Sequence, residues 1–265
     1  MTDFASRYGP WAIVTGASSG IGDQLARQLA AKQLHVVLVA RRRDRLDALA
    51  DELRAQHRVE IRVVELDLVS PGACAALEAA TDGLEIGLLV NNAGFGMKGE
   101  FLDLDLPEQL RMIELNCRIP VELTHVFMPQ MVKRRRGGMI MVASAAAFQG
   151  LPNTSLYAAT KGFEVLLSEG LHEELRPHNV DVLALCPGPT DTEGPRRTGV
   201  DPDKVPIKMM SPAVVAKAAL DSLGYRPTII PGLTNRLVYY LVRLLPRAFV
   251  SRQAGKMIRN LSKDA

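Results

Sequence analysis

The feature that most constrains this chain is a regular alternation of short β-branched runs with longer helical patterns. Seven runs, at 12–15, 35–40, 61–66, 86–90, 139–142, 180–186 and 228–230, read as strands. Their near-continuous apolar character indicates burial on both faces. Helical patterns lie between them at 20–32, 45–56, 71–80, 107–133, 155–176 and 212–223, several opened by Pro or Ser. Repeated βα order implies an α/β fold, a doubly wound parallel sheet of about seven strands with helices on both faces and right-handed crossovers. Its ligand cleft is expected beyond the carboxyl ends of the strands, so the chemistry belongs on the loops that follow them.

Composition narrows the class further. A chain of 265 residues favours one such domain over two, and 47% hydrophobic residues supply a large core. The balance of 32 basic against 29 acidic residues, a net charge of +3, is too even for a protein whose main partner is nucleic acid. Cys74, Cys117 and Cys186 are too scattered for a disulfide framework or a zinc knuckle, which suits a reducing cytoplasm. His35, His57, His125, His172 and His178 show no ligand spacing, so no metal site is expected. No secretory leader and no membrane-spanning run is expected either, because the late apolar stretch 237–246 is interrupted by Arg243 and is too short.

The first strand runs into Thr15, Gly16, Ala17, Ser18, Ser19, Gly20, Ile21 and Gly22, followed by an amphipathic helix. Glycines at such a bend let the backbone approach a pyrophosphate, and the helix N-terminus offers free N–H groups to its charge. The spacing T-G-x-x-x-G-x-G differs from the commoner dinucleotide fingerprint and lacks the Lys of a nucleoside-triphosphate loop. After the second strand, where an acidic residue would accept from ribose hydroxyls, Ala40 is followed by Arg41, Arg42 and Arg43. Guanidinium forks match phosphate oxygens, so Arg41 and Arg42 favour a dinucleotide bearing a 2′-phosphate, while Arg43 reads as solvated. Asp67, with Leu68 beside it, follows the third strand and offers an acceptor to an adenine amino group or an ordinary turn contact. Asn91, Asn92, Ala93 and Gly94 close the fourth strand with the small residues and amides that suit a loop beneath a nucleotide.

Ser144 follows the fifth strand, and Tyr157 and Lys161 open the next helix. Four residues apart, Tyr157 and Lys161 share one helix face. An ammonium beside a phenol favours the phenolate, which makes Tyr157 a usable acid and base.

With these residues in hand, the chain resembles the short-chain dehydrogenases/reductases over about 11–231. TGASSGIG, NNAG, the helix carrying Asn116, Ser144, YAATK and CPGPTDT occur in that family's order, with Tyr157 thirteen residues after Ser144. The resemblance implies a Rossmann-like fold and a catalytic tetrad. In it Tyr157 exchanges a proton with the substrate oxygen, Ser144 orients that oxygen, Lys161 holds the nicotinamide ribose and Asn116 anchors a water relay. It further implies that Pro187, Gly188 and Thr190 flank the nicotinamide, with Thr192 near its carboxamide, and that Phe95, Met97, Ala145, Phe148 and Leu151 wall an apolar substrate pocket. Thr160 stands where the family often has Ser. The short Tyr-to-Lys gap points to carbonyl and alcohol chemistry rather than enoyl reduction. The expected activity is hydride transfer between NADP(H) and an apolar ketone, aldehyde or secondary alcohol, in a cytoplasmic homodimer or homotetramer. Two rival readings are a catalytically idle protein that senses NADP(H) or binds a partner, and a membrane-surface enzyme of lipid metabolism.

Two segments fall outside that pattern. The run Lys133, Arg134, Arg135, Arg136 reads as cations at a helix C-terminus rather than a nucleic-acid patch. The catalytic domain is expected to span 1–231, with 232–265 a basic amphipathic extension that closes the cleft or meets a second subunit. Leu237, Tyr240, Leu241, Leu244 and Leu245 recur there at helical spacing until Pro246, with Arg236 and Arg243 among them, and association with an anionic membrane is the weaker alternative. The irregular stretch 187–210 is a second candidate lid.

Overall fold

Side chains along each strand divide between two cores, and this division sets the architecture. Ala12 and Val14 of β1 (Trp11–Thr15), Val36 and Leu38 of β2 (His35–Ala40) and Leu88 and Val90 of β4 (Ile86–Asn91) enter one core. Their neighbours Ile13, Val37, Val39 and Leu89 enter the other. Strand residues alternate faces, so a strand apolar at every position must be covered on both sides. The computed structural model describes residues 4–194 and 209–263, with side chains described through Lys256. All seven described strands are parallel, in the order β3-β2-β1-β4-β5-β6-β7, with β3 at Ile61–Glu65, β5 at Gly137–Val142, β6 at Val180–Leu185 and β7 at Thr228–Ile229.

One core is closed by α2 (Gly20–Ala31), α3 (Arg43–Gln56) and α8 (Pro212–Ser222), through Leu25, Leu29, Leu46, Leu53, Val215 and Leu220. The opposite core is closed by α4 (Ala73–Ala80), α6 (Ile119–Arg134) and α7 (Ser155–Leu175), with Leu77, Leu123, Phe127 and Met131 fully or nearly buried. Each buried Leu or Phe contributes about 1.5–3 kcal/mol by leaving water. A short N-terminal α1 (Phe4–Tyr8), which periodicity does not reveal, packs Tyr8 into the first core. The strand order reverses beside β1, and there Thr15 Oγ1 donates to Val90 O at 3.1 Å and accepts from the N–H groups of Asn92 and Ala93. These bonds tie the two loops that flank the switch point, where a doubly wound sheet binds its ligand.

Two expected elements differ. The pattern 107–133 is not one helix: α5 (Leu106–Ile113) and α6 are joined by a π-helical turn, Glu114–Arg118. Pro120 has no N–H to bond the carbonyl of Asn116, so the α-helical ladder cannot run unbroken through this point. The extension is two helices, α9 (Leu233–Leu244) and α10 (Arg247–Lys263), separated at Pro246 as its missing N–H requires. The basic run behaves as a helix end, with Arg134 donating to Ile86 O at 2.6 Å and Arg136 pairing with Glu85. Most of the irregular stretch 187–210 lies outside the described residues.

Candidate active site

The glycine-rich turn is built to let chains pass close. Gly16 has φ +66°, and a β-carbon there would sit 2.8 Å from Asn92 Nδ2, while one at Gly22 would sit 2.4 Å from Gly16 O. Ser19 opens α2 without a side-chain cap, so the first N–H groups of this helix keep their capacity for an anion. Ser18 and Ser19 instead accept from Arg42, whose Nη2 lies 3.0 and 2.9 Å from their hydroxyls. Ile21 packs against the first core, and the methyl of Thr192 lies against Gly20. Arg41 is exposed at the end of β2, and Arg43 pairs with Asp47 along its own helix.

Asp67, Leu68 and Asn91, expected near the nucleotide, each make contacts within the chain. Asp67 Oδ2 accepts from Arg111 Nη2 at 2.6 Å, and Oδ1 accepts from Val69 N at 3.4 Å, so the carboxylate already serves its own turn. The Leu68 side chain is buried in the second core and leaves a ligand nothing but its main chain. The Asn91 amide is buried beside Thr124 and Met139, its Nδ2 3.5 Å from each. The neighbouring Asn92 takes the structural role, donating from Nδ2 to Thr15 O at 2.8 Å. Consecutive residues at a strand end face opposite sides, which separates the two amides.

The tetrad positions converge around α7. Ser144 ends the segment after β5 and its Oγ accepts from Ala146 N at 3.1 Å, opening a 3-10 turn, Ala145–Phe148. The Tyr157 ring covers Gly96, and Lys161 Nζ lies 5.8 Å from the ring centroid. Asn116, fully buried on the π-turn, accepts from Phe95 N at 3.2 Å and donates to Phe95 O at 2.9 Å and to Thr160 Oγ1 at 3.0 Å. It thereby clamps the loop that carries Ala93, Gly94 and Phe95 to the helix that carries Tyr157. A β-carbon at Gly94 would lie 3.0 Å from Asn116 Oδ1 and 3.4 Å from Lys161 Nζ, which places this glycine directly over the charged group.

Lys161 Nζ donates to Val142 O at 2.9 Å and to both oxygens of Glu164 at 2.9 Å. Burial alone would lower the lysine's proton affinity; the charges of Glu164 and Tyr157 outweigh it and hold the ammonium. Glu164 is pushed up to about 7 by burial, against the pull of Lys161. Glu164 was not among the residues expected from sequence, although it follows Tyr157 and Lys161 on one helix face at i, i+4, i+7.

On the opposite wall Pro187 O accepts from Ala145 N at 2.8 Å, and Thr190 Oγ1 donates to Gly188 O at 2.9 Å. Phe95, Met97, Ala145, Phe148 and Leu151 are all half-buried, and Tyr239 of α9 packs against Phe148 with ring centroids 4.3 Å apart and the ring planes tilted by 59°. Among the described residues, no group of three or more His, Cys, Asp or Glu stands close enough to hold a metal ion. None of the described helices is long and apolar enough to cross a membrane.

Residues 10–201 match the short chain dehydrogenase family. The chain belongs to that family. It is an oxidoreductase of the short-chain type, acting on hydroxyl or carbonyl groups. It is 32% identical over 245 residues to a very-long-chain 3-oxoacyl-CoA reductase-like protein of Arabidopsis thaliana, covering 91% of this chain and 78% of that one. It is 30% identical over 260 residues to the 7β-hydroxysteroid dehydrogenase of Clostridium sardiniense, covering 98% and 100%. The structure of a short-chain dehydrogenase from Sphingobium yanoikuyae in complex with NADPH superposes with a TM-score of 0.81 at 34% identity, covering 89% of this chain and 92% of that one.

Proposed function

We propose that this oxidoreductase transfers a hydride between NADP(H) and an apolar ketone or secondary alcohol, with Tyr157 exchanging the proton. The observation that carries the reading is the convergence of Tyr157, Lys161 and Asn116 at the carboxyl edge of the sheet, beside a glycine-rich turn onto which Arg42 folds. The residues present fit the dinucleotide: glycines 16, 20 and 22 let the turn fold closely against Asn92 and Thr192, and the side-chain-uncapped start of α2 offers N–H groups to a pyrophosphate. Arg41 and Arg42 supply the cations that a 2′-phosphate calls for. When bound, the dinucleotide supplies or takes up the hydride.

The chain's own groups do the rest. Tyr157 donates its phenolic proton to a carbonyl oxygen in reduction and withdraws the hydroxyl proton in oxidation. Lys161, held charged in a buried setting, stabilises the phenolate left behind. Ser144, whose hydroxyl keeps a donor after accepting from Ala146 N, orients the substrate oxygen. Asn116 holds the Phe95 loop against α7 and so fixes the floor of the cleft.

The substrate class follows from the wall. Phe95, Met97, Phe148, Leu151 and Tyr239 present an apolar surface, which suits a bulky hydrophobic carbonyl such as a ring ketone or a long-chain 3-oxoacyl thioester. The relatives above are named for a very-long-chain 3-oxoacyl-CoA and for a hydroxysteroid, which supports this reading. The domain is read as 1–231, with 232–265 as a C-terminal cover. Free Cys74, Cys117 and Cys186 support a cytoplasmic setting. Exposed Leu110 and Ile113 on α5, Val121 on α6 and Phe163 and Leu166 on α7 support pairing with a second copy of the chain. The test is a panel of steroid ketones, 3-oxoacyl thioesters and small polar ketones followed by NADPH absorbance. Turnover confined to polar ketones, or none, sinks the reading.

A further inference from the structure

Lys161 is not an isolated cation. Its ammonium has three hydrogens, and the structure supplies three acceptors, Val142 O, Glu164 Oε1 and Glu164 Oε2, each at 2.9 Å. The two side chains are 6% and 2% exposed. Val142 ends β5 and Glu164 lies one turn beyond Lys161, on the side away from Tyr157, which lies one turn before it. Ser168, the next residue on this stripe, bonds the main-chain oxygen of Glu164 and leaves the carboxylate to Lys161.

A buried ion pair is a poor device for stability, because desolvating both charges consumes most of their attraction and an apolar pair of similar volume does as well. The stripe of α7 around it is otherwise filled by Ala158, Val165 and similar small or apolar residues. What the pair does instead is decide how much of the ammonium's charge and how many of its hydrogens remain for Tyr157. A cation whose carboxylate partner is ionised presents a nearly neutral group at a distance, whereas one whose partner is protonated presents a full charge.

We propose that Glu164 is a positioning residue for the reaction, one that holds the Lys161 ammonium from the side opposite Tyr157 and, by offsetting its charge, limits how strongly Lys161 favours the Tyr157 phenolate. The proposal rests on the reading of Tyr157 and Lys161 as the proton-transfer pair. The other titratable groups facing the pair are Cys117 from the π-turn and Cys186 from the end of β6. Burial pushes the Cys117 thiol up to about 11 and the Cys186 thiol beyond the ordinary range, so both stay neutral. Burial likewise pushes the Glu164 carboxyl up, against the pull of Lys161, so the offset depends on pH. On the acid side Glu164 is protonated and Lys161 acts on Tyr157 undivided; on the alkaline side the carboxylate shares the cation. Because Glu164 acts through Lys161, a pH profile of turnover belongs to the group rather than to one residue.

The test replaces Glu164 with Gln, which keeps the size and an acceptor, with Leu, which keeps only the volume, and with Asp, which keeps the charge. Phenolate absorbance is titrated in each protein and in its Tyr157→Phe counterpart, so that the difference isolates Tyr157 without substrate or cofactor. Glu164→Gln and Glu164→Leu should each move the midpoint down by about one pH unit or more. Glu164→Asp should return it toward the wild-type value, and the rising limb of alcohol oxidation should move with it. A midpoint unmoved or raised in both uncharged variants overturns the proposal. So does the failure of both to fold, which would make the pair structural. Absence of turnover on every carbonyl in the wild-type protein would overturn the proposed function, while the phenolate titration would still decide the role of Glu164.

Discussion

Arg42 and Glu193 form an ion pair across 151 residues of sequence, with Nη1 donating to Oε2 at 2.8 Å. Arg45 reaches the same carboxylate from the first turn of α3. Desolvation works against the Glu193 charge, but the bonds from Arg45 and Arg42 prevail and hold its carboxyl below the ordinary range. The guanidinium expected to take a 2′-phosphate is thus already bound to an internal anion. It joins the loop after β6 to the glycine-rich turn, whose Ser18 and Ser19 it also contacts.

Cofactor choice follows from that contact. A charge-assisted bond is worth about 1.5–3 kcal/mol, roughly ten- to a hundredfold in affinity, and the partial exposure of Arg42 favours the lower end. The Arg41→Ala, Arg42→Ala double variant should lose its preference for NADPH over NADH by about tenfold or more. Glu193→Gln should bind NADPH more tightly than wild type, because the competing carboxylate is gone. Fluorescence titration of both dinucleotides measures this, and equal wild-type affinities would remove the basis for the Arg pair.

Tyr157→Phe deletes one hydroxyl and leaves the ring over Gly96. Turnover should fall by about 10²- to 10⁴-fold, the range for a lost general acid or base. Dinucleotide affinity and thermal midpoint should stay near wild type, since the turn and the Arg pair are untouched. Retention of most of the activity would show that the substrate oxygen exchanges its proton elsewhere.

What sequence reveals here follows the range over which each signal acts. The βα alternation and the Tyr157–Lys161 spacing are local periodicities, so both the sheet and the shared helix face could be read directly. Asn91 and Asn92 are adjacent and chemically identical, and only the phase of β4 decides which enters the core. The π-turn around Asn116 has a local cause in Pro120, but a Pro near a helix start is equally an ordinary N1 residue, so the pattern read as unbroken. Glu164 has the periodicity of the site face, yet a Glu on a helix is ordinarily a solvated one. The Arg42–Glu193 pair has no local trace at all, because the fold alone brings 42 and 193 together. The residue types of Arg41 and Arg42 suggested equal roles, whereas the end of β2 leaves Arg41 exposed and turns Arg42 onto the glycine-rich turn.

Alkaline stability should depend on Tyr8. Its hydroxyl donates to Asp181 Oδ2 at 2.7 Å, the oxygen that also accepts from Arg7 Nε at 2.6 Å, and the ring is 3% exposed. Burial, then the bond to Asp181, raises its proton affinity above that of a free phenol. A group whose pKa is raised by folding contributes fully below its unfolded value, about 10 for a phenol, and loses that contribution as pH rises through the folded value. Tyr8→Phe should cost about 1 kcal/mol near neutral pH, roughly 2–4 °C in thermal midpoint. The gap between variant and wild type should narrow above about pH 10. A gap that stays constant across that range would show that Tyr8 does not carry the dependence.

Asn235 of α9 is buried against Gly188, where a β-carbon would lie 2.4 Å from its Nδ2, and it donates to Pro231 O at 2.9 Å. One turn on, Tyr239 packs against Phe148, and Val250 of α10 is buried as well. One face of the extension therefore rests on the loop after β6 and on Phe148, which supports a cover over the cleft. The opposite face leaves Leu237, Tyr240, Leu241 and Leu244 exposed, with Arg236 and Arg243 on the same helix. An aromatic pair contributes about 0.5–1.5 kcal/mol beyond its buried area, so Tyr239→Ala should raise KM for a bulky ketone by roughly two- to tenfold with kcat nearly unchanged. Truncation before Thr234 should do at least as much and lower the thermal midpoint. The intact protein should sediment little with anionic vesicles, because α9 provides only about three turns of apolar stripe. Sedimentation that disappears in high salt or on truncation, with KM for soluble ketones unaffected by Tyr239→Ala, would instead make the extension a membrane contact.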